Sequence, residues 1–275
     1  MPALIDPAER FHGTIIVLAP HMDDEVLACG GTLARIPGKS RIHVVYATDG
    51  SRSPAPAVPW RKATPSLPDI RAREALEAMQ VLGIPEENVH FLDLPDGRLE
   101  RHYAELAPAL GPLMEALDAA HVLAPFRYDR HPDHLALNRF ATAWVQGAGA
   151  GAELLEYFVY HRSRLLPRGD IRAYIRPGIL LAVDIGPESS AKRAALERYR
   201  SQTVRLFTFQ ARPNLTPAFV DQVCAEPELF LPYSPLAAGA AVLTGPVTWI
   251  RVAHRIEPIL KEGKDRIVGL IGGGR

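Results

Sequence analysis

Two short segments concentrate side chains that bind metals and move protons: Pro20-His21-Met22-Asp23-Asp24-Glu25 and Arg130-His131-Pro132-Asp133-His134. Imidazole nitrogens and carboxylate oxygens are the donors of a catalytic divalent-metal site, in which three protein ligands leave one position for water. Two histidines and one aspartate suffice as ligands, and the remaining acid and imidazole can supply the base and acid that hydrolysis needs. Spacing does not decide between Asp23 and Asp24, because neighbours in a turn point in different directions and either can be ligand or base. Each segment also has a plainer reading. Acids at a helix start are favoured by free N–H groups and the macrodipole, and Asp133 could be a helix cap. The occurrence of both motifs, each after an apolar run, weighs against that alternative.

The elements that must position these residues alternate. Residues 14–19 (TIIVLA) are a short β-branched run of the kind buried on both faces of a sheet, ending at Pro20. Helical spacing follows over 25–36, where Gly30 and Gly31 each cost about 1 kcal/mol relative to alanine and so imply close packing. A strand over 41–48 ends at Asp49-Gly50. The proline-rich stretch 51–68 reads as a surface loop. Then come a helix over 69–82 with Asp69 as N-cap, a strand over 89–92, a helix over 103–119 and a strand over 121–125. This alternation predicts parallel βαβ units with helices on both faces of the sheet. In such a sheet the ligand lies beyond the carboxyl ends of the strands, where both motifs fall.

Strands over 154–160 and 179–184 and a helix over 190–199 are expected in the second half, while 212–246 is proline-rich without clear periodicity. The expectation is one α/β domain over 1–275, with a metal-site core at about 14–205 and a C-terminal cover from 206 onward.

With 31 basic and 31 acidic residues among 275, no overall field draws the chain to nucleic acid or an anionic membrane. No apolar run reaches spanning length, so membrane insertion is not expected. Two cysteines without CxxC spacing and an N-terminus unlike a signal peptide point to the cytoplasm. A homo-oligomer is compatible with the sequence.

These residues resemble the LmbE-like, or PIG-L, deacetylase family, whose motifs are written (A/P)HPDDE and HPDH. Further segments agree in order: Ala47-Thr48-Asp49-Gly50, Arg71 and Glu74 in RAREALEAMQVLG, Asp93-Leu94-Pro95-Asp96-Gly97 and KRAALERYRSQ at 192–202. Met22 stands where proline is commonest, a departure without consequence for a site of hard donors. The resemblance implies that His21, Asp24 and His134 bind Zn2+, with Fe2+ or another divalent metal as substitutes. It implies that Asp23 is the general base and that His131 donates a proton or stabilises the oxyanion. It also implies a Rossmann-like layered fold and an N-acetylglucosamine-type small-molecule substrate whose N-acetyl group is hydrolysed.

Arg52, Asp96 and Arg127 fall in loops expected beside the site, either to bind sugar hydroxyls or an anion, or as plain surface charge. Asp133 orients His131 or caps the next helix. Among the remaining histidines only His161, ending an apolar strand, suggests a pocket. Cys29 reads as a small packed thiol, and Gly30-Gly31 does not form a dinucleotide fingerprint. Two rival readings are a two-histidine, one-carboxylate iron enzyme and a non-catalytic sugar-binding protein.

Overall fold

The computed structural model describes residues 1–53, 65–163, 165–206, 210, 212–234, 242–244, 252 and 256. Its centre is strand β2 (Thr14–Ala19), in the position expected from the sequence. Ile15, Val17 and Ala19 enter one apolar cluster, while Ile16 and Leu18 enter another on the opposite face. An uninterrupted apolar run is required because side chains alternate across a sheet covered on both sides.

β2 pairs in parallel with β3 (Ile42–Thr48), and β3 with β4 (Val89–Leu94). On its other side β2 pairs in parallel with β5 (Ala119–Pro125), and β5 with β6 (Glu153–Tyr157). β1 (Ala3–Leu4), β7 (Leu181–Val183) and β8 (Glu228–Pro232) complete the eight-stranded order β1-β7-β8-β6-β5-β2-β3-β4, with β8 antiparallel to both neighbours. Chain direction across the sheet therefore reverses between β2 and β5. The helices that follow these strands leave on opposite faces: α2 (Asp24–Arg35) contributes to the Ile15/Val17 cluster, and α5 (Pro132–Gln146) to the Ile16/Leu18 cluster. A crevice beyond the carboxyl ends of the two strands is the geometric result.

α3 (Leu67–Val81), α6 (Ser189–Leu196) and α8 (Pro217–Ala225) join α2 on the first face, and α4 (Tyr103–Ala116) joins α5 on the second. Two further α-helices, α1 (Pro7–Arg10) and α7 (Arg200–Thr203), are short. The glycine pair in α2 has the expected packing cause. A Cβ on Gly31 would lie 2.5 Å from Ile185 Cγ2, and one on Gly30 3.1 Å from Lys192 Cγ. α2 is further tied to β8, since Glu228 accepts the backbone N–H groups of Gly31 and Thr32 at 2.8 and 2.7 Å and the Lys192 ammonium at 2.7 Å.

Several boundaries differ from expectation. α3 starts at Leu67, with Ser66 as N-cap and Asp69 at the third position of a reciprocal capping box, so Asp69 serves the helix start without being its cap. α4 stops at Ala116, and β6 stops at Tyr157 where 158–160 turn out of the sheet. α8 and β8 lie inside the stretch that shows no periodicity in sequence. Prolines mask them: Pro217 occupies the first turn of α8, where a missing N–H costs nothing, and Pro232 ends β8. Most of the proline-rich loop, residues 54–64, and most of the C-terminal cover, including 257–275, lie outside the described residues. Among the described residues no helix is long and apolar enough to cross a membrane.

Candidate metal centre

Residues 20–23 carry the chain from β2 into α2. Pro20 O accepts both the N–H and the hydroxyl of Thr48, at 3.1 and 2.8 Å, which fastens the turn to the end of β3. Asp23 stands at the N-cap with φ 134° and ψ −25°, and its side chain makes no capping bond. The simple reading of these acids as a helix start therefore does not describe Asp23. At the second loop His131 is the N-cap of α5, its Nδ1 accepting the Asp133 N–H at 3.3 Å. An accepting Nδ1 puts the proton of the neutral ring on Nε2.

The two loops meet. The rings of His21, His131 and His134 lie 4.6–5.4 Å apart, centre to centre, and one nitrogen from each can be chosen so that all lie within 4.8 Å of one another. Asp24 Oδ2 is 3.1 Å from His21 Nδ1 and 3.1 Å from His134 Nε2. Donors bonded at about 2.0–2.1 Å around one tetrahedral ion are separated by about 3.3 Å, and each of these two separations is near that value. His134 Nε2 and Asp24 Oδ1 are buried and make no hydrogen bond. Buried ligand atoms left without hydrogen bonds on two adjoining residues are the kind a divalent cation would satisfy.

Behind these groups stand further carboxylates. His21 Nε2 is 3.2 Å from Asp133 Oδ2 and 3.4 Å from Asp96 Oδ1. His134 Nδ1 is 3.3 Å from Asp129 Oδ2. Carboxylates at the far nitrogen of a ligating imidazole fix its tautomer and orientation. Asp133 also accepts the Gly97 and Leu99 N–H groups at 2.7 and 2.9 Å. Its carboxylate thus serves His21 and the 97–99 turn and does not cap α5, while its backbone N–H is the group that meets His131. Asp96 is 5% exposed, which excludes plain surface charge. Arg52 is exposed, and its backbone N–H donates to Asp96 Oδ2 at 2.9 Å. Arg127 is not plain surface charge: its Nε lies 3.0 and 2.8 Å from the two oxygens of buried Glu156 on β6.

Charge in the cluster is strongly unbalanced. Burial alone would depress the His21 pKa, but Asp133, Asp24 and Asp96 hold it well above the ordinary value. His134 is likewise penalised by burial yet raised to about 9 by Asp129 and Asp24. Burial would raise Asp24, but His134 and His21 bring it far below the usual carboxylate range. Asp23 differs: burial pushes it up to about 8, opposed by Arg71, whose Nη2 lies 3.6 Å from Oδ2. Without metal, protonated imidazoles supply the positive charge these carboxylates demand, and metal binding must displace those protons.

Sequence reading missed Asp129, Glu25, Tyr160 and Tyr199 as site residues. Asp129 had a local signal: two residues before His131, it accepts that residue's N–H at 2.8 Å and the Tyr160 N–H at 3.0 Å. Tyr160 had none, being brought in by the chain that leaves β6, and Tyr199 had only its place in the segment 192–202 that shares the family resemblance. Cys29 is a fully buried free thiol whose pKa burial pushes up, as expected of a packed side chain. His161 lies 3.3 Å from Asp170 and lines a separate small cavity of about 30 Å³ with Lys192 and Glu228.

Residues 16–145, which include both motifs, match the protein family described as "PIG-L: GlcNAc-PI de-N-acetylase". The conserved protein TT1542 from Thermus thermophilus is similar at 27% identity and TM-score 0.55, over 82% of this chain and 96% of that one. The A40926 pseudoaglycone deacetylase Dbv21 is similar at 22% identity and TM-score 0.61, over 81% and 97%. N,N'-diacetylchitobiose deacetylase from Pyrococcus horikoshii is similar at 18% identity and TM-score 0.61, over 86% and 88%. The last two likenesses establish the shared fold.

Proposed function

Because the chain belongs to the PIG-L (LmbE-like) family, we propose that it hydrolyses an N-acyl amide, N-acetyl foremost, on an amino sugar or sugar conjugate, using a divalent cation. The observation that carries this reading is Asp24 Oδ2 standing 3.1 Å from both His21 Nδ1 and His134 Nε2, beside an Asp23 carboxylate that caps no helix. The names of two similar proteins, the A40926 pseudoaglycone deacetylase and N,N'-diacetylchitobiose deacetylase, support the substrate class.

In this reading His21, Asp24 and His134 hold the cation, Zn2+ by the donor set. When bound, it would lower the pKa of a water to about 7 and polarise the amide carbonyl. Asp23 takes the proton of the attacking water, and burial fits it for that role by raising its affinity for protons. His131 directs its Nε2 proton to the carbonyl oxygen as negative charge builds there. The departing nitrogen must be protonated before it leaves, and the proton taken by Asp23 is at hand for it. Asp133 and Asp129 hold the two ligating imidazoles in register. Action in the cytoplasm on a free small molecule belongs to the same reading, consistent with two free, buried cysteines.

The test is release of free amine from a panel of N-acetylated sugars, with elemental analysis of the purified protein. We expect chelator to abolish release and Zn2+, Fe2+ or Co2+ to restore it. Oxygen consumption without amine release would replace the proposal with the iron enzyme, and metal-independent sugar binding without release would replace it with a binding protein.

A further inference from the structure

Asp23 is held in a conformation that residues with a Cβ rarely adopt, φ 134° and ψ −25°. Such strain persists only where the surroundings over-determine it. Here the determinants are specific. Asp23 N–H donates to Glu25 Oε2 at 3.1 Å, Asp23 O accepts the Leu27 N–H at 2.9 Å, and Arg71 donates to Met22 O. Glu25 is itself fixed from behind: its other oxygen accepts the Tyr199 hydroxyl, which lies 3.2 Å from the Tyr46 hydroxyl. Glu25, Tyr199 and Tyr46 are each 0% exposed.

A buried carboxylate without a basic partner is costly unless its oxygens meet donors that the structure needs. Glu25 satisfies this on both sides, and one side is the backbone of Asp23. Tyr199 lies outside residues 16–145, immediately before α7. α7 in turn is anchored to α3, because Glu74 accepts the Ser201 N–H and hydroxyl at 2.7 and 2.6 Å. Gln202 continues the anchor to Ser53, after β3, at 3.1 Å.

We propose that Glu25 is a positioning residue that, backed by Tyr199, holds Asp23 in its strained backbone conformation and so aims the base carboxylate. The segment 199–202 thereby governs the geometry of a turn some 175 positions earlier in the chain. Both Glu25 oxygens are engaged by the Asp23 N–H and the Tyr199 hydroxyl. Its effect reaches the reaction through Asp23 alone.

This rests on the reading of Asp23 as the base, so the test has one arm with turnover and one without. With N-acetylglucosamine as probe, Glu25→Ala and Tyr199→Phe should each lower kcat about tenfold, leaving KM and zinc content within about twofold. Glu25→Gln, which keeps an acceptor for the Asp23 N–H, should recover most of the loss. In an Asp23→Ala background the same substitutions should change the residual rate by less than about twofold, since groups acting through one residue are not additive. An unchanged kcat, or a tenfold loss that persists without Asp23, would overturn the proposal.

The second arm compares melting temperatures of Asp23→Gly and Asp23→Ala, both lacking the carboxylate but only the latter strained. The glycine variant should melt about 2–4 °C higher in the otherwise native chain, and the gap should at least halve with Tyr199→Phe. A gap of the same size in both backgrounds overturns the proposal. Should no N-acetylated sugar be hydrolysed, the functional reading fails and the melting gap alone decides the positioning role.

Discussion

The two loops that build the centre are stabilised in opposite ways. The first, 20–23, is short and holds an awkward backbone that is fixed from outside, by Thr48 and Arg71 and, at Asp23, through Glu25 and Tyr199. The second, running from β5 into the first turn of α5, supplies the acceptors itself: Asp129 accepts the His131 and Tyr160 N–H groups, and Asp133 those of Gly97 and Leu99, so its own acids also tie down the neighbouring segments. The first loop carries the group whose protonation must change during a hydrolytic cycle, and the second carries groups whose orientation must not. A base aimed by remote contacts can be tuned without disturbing the ligands. A ligand braced by carboxylates gains basicity along with rigidity.

The largest effect should come from the first loop. Asp23→Ala is expected to lower kcat about 10²-fold or more while zinc content stays near that of the native protein; near-native turnover would remove the division of labour. On the second loop Asp133→Asn should act the other way round, weakening metal affinity about 10–100-fold in chelator competition, with turnover recovering at excess metal. Loss of turnover at full metal occupancy would count against its role behind His21. Asp129→Ala should destabilise by about 1–3 kcal/mol through unmet buried N–H groups, a fall of roughly 2–4 °C per kcal/mol for a chain of this size. Calorimetric melting of the metal-free protein checks this, and an unchanged midpoint would show that the loop is not braced by its own acid. Arg52→Ala should be smallest, within about 0.5 kcal/mol of native stability for an exposed side chain. A clear rise in KM with unchanged melting would instead assign Arg52 to the substrate.

Legibility followed the same division. β2 was readable to the residue because an apolar β-branched run ended by proline permits little else, and the parallel alternation followed from the spacing of later runs. His21, the Asp23-Asp24 pair, His131 and His134 were readable as a group from residue type and their place at strand ends, without a choice between the two acids. β8 and α8 were not, since proline at their boundaries hides short elements whose partners lie far away in sequence. For Asp133, proximity in sequence pointed to His131, which its backbone N–H does meet, whereas the fold turns its carboxylate to His21, 112 positions away. The ion pair of Arg127 was hidden for a related reason: its partner Glu156 lies on β6.

By itself the amino-acid order determined the layers and the inventory of donors, because side-chain periodicity and donor chemistry are local properties. Which oxygen meets which nitrogen was decided by tertiary structure. The reversal of strand order between β2 and β5 brings the two loops together, and packing of Tyr199 behind Glu25 fixes the turn at Asp23. Distances of about 3 Å between groups over a hundred residues apart depend on how sheet and helices dock, and no local pattern encodes that docking.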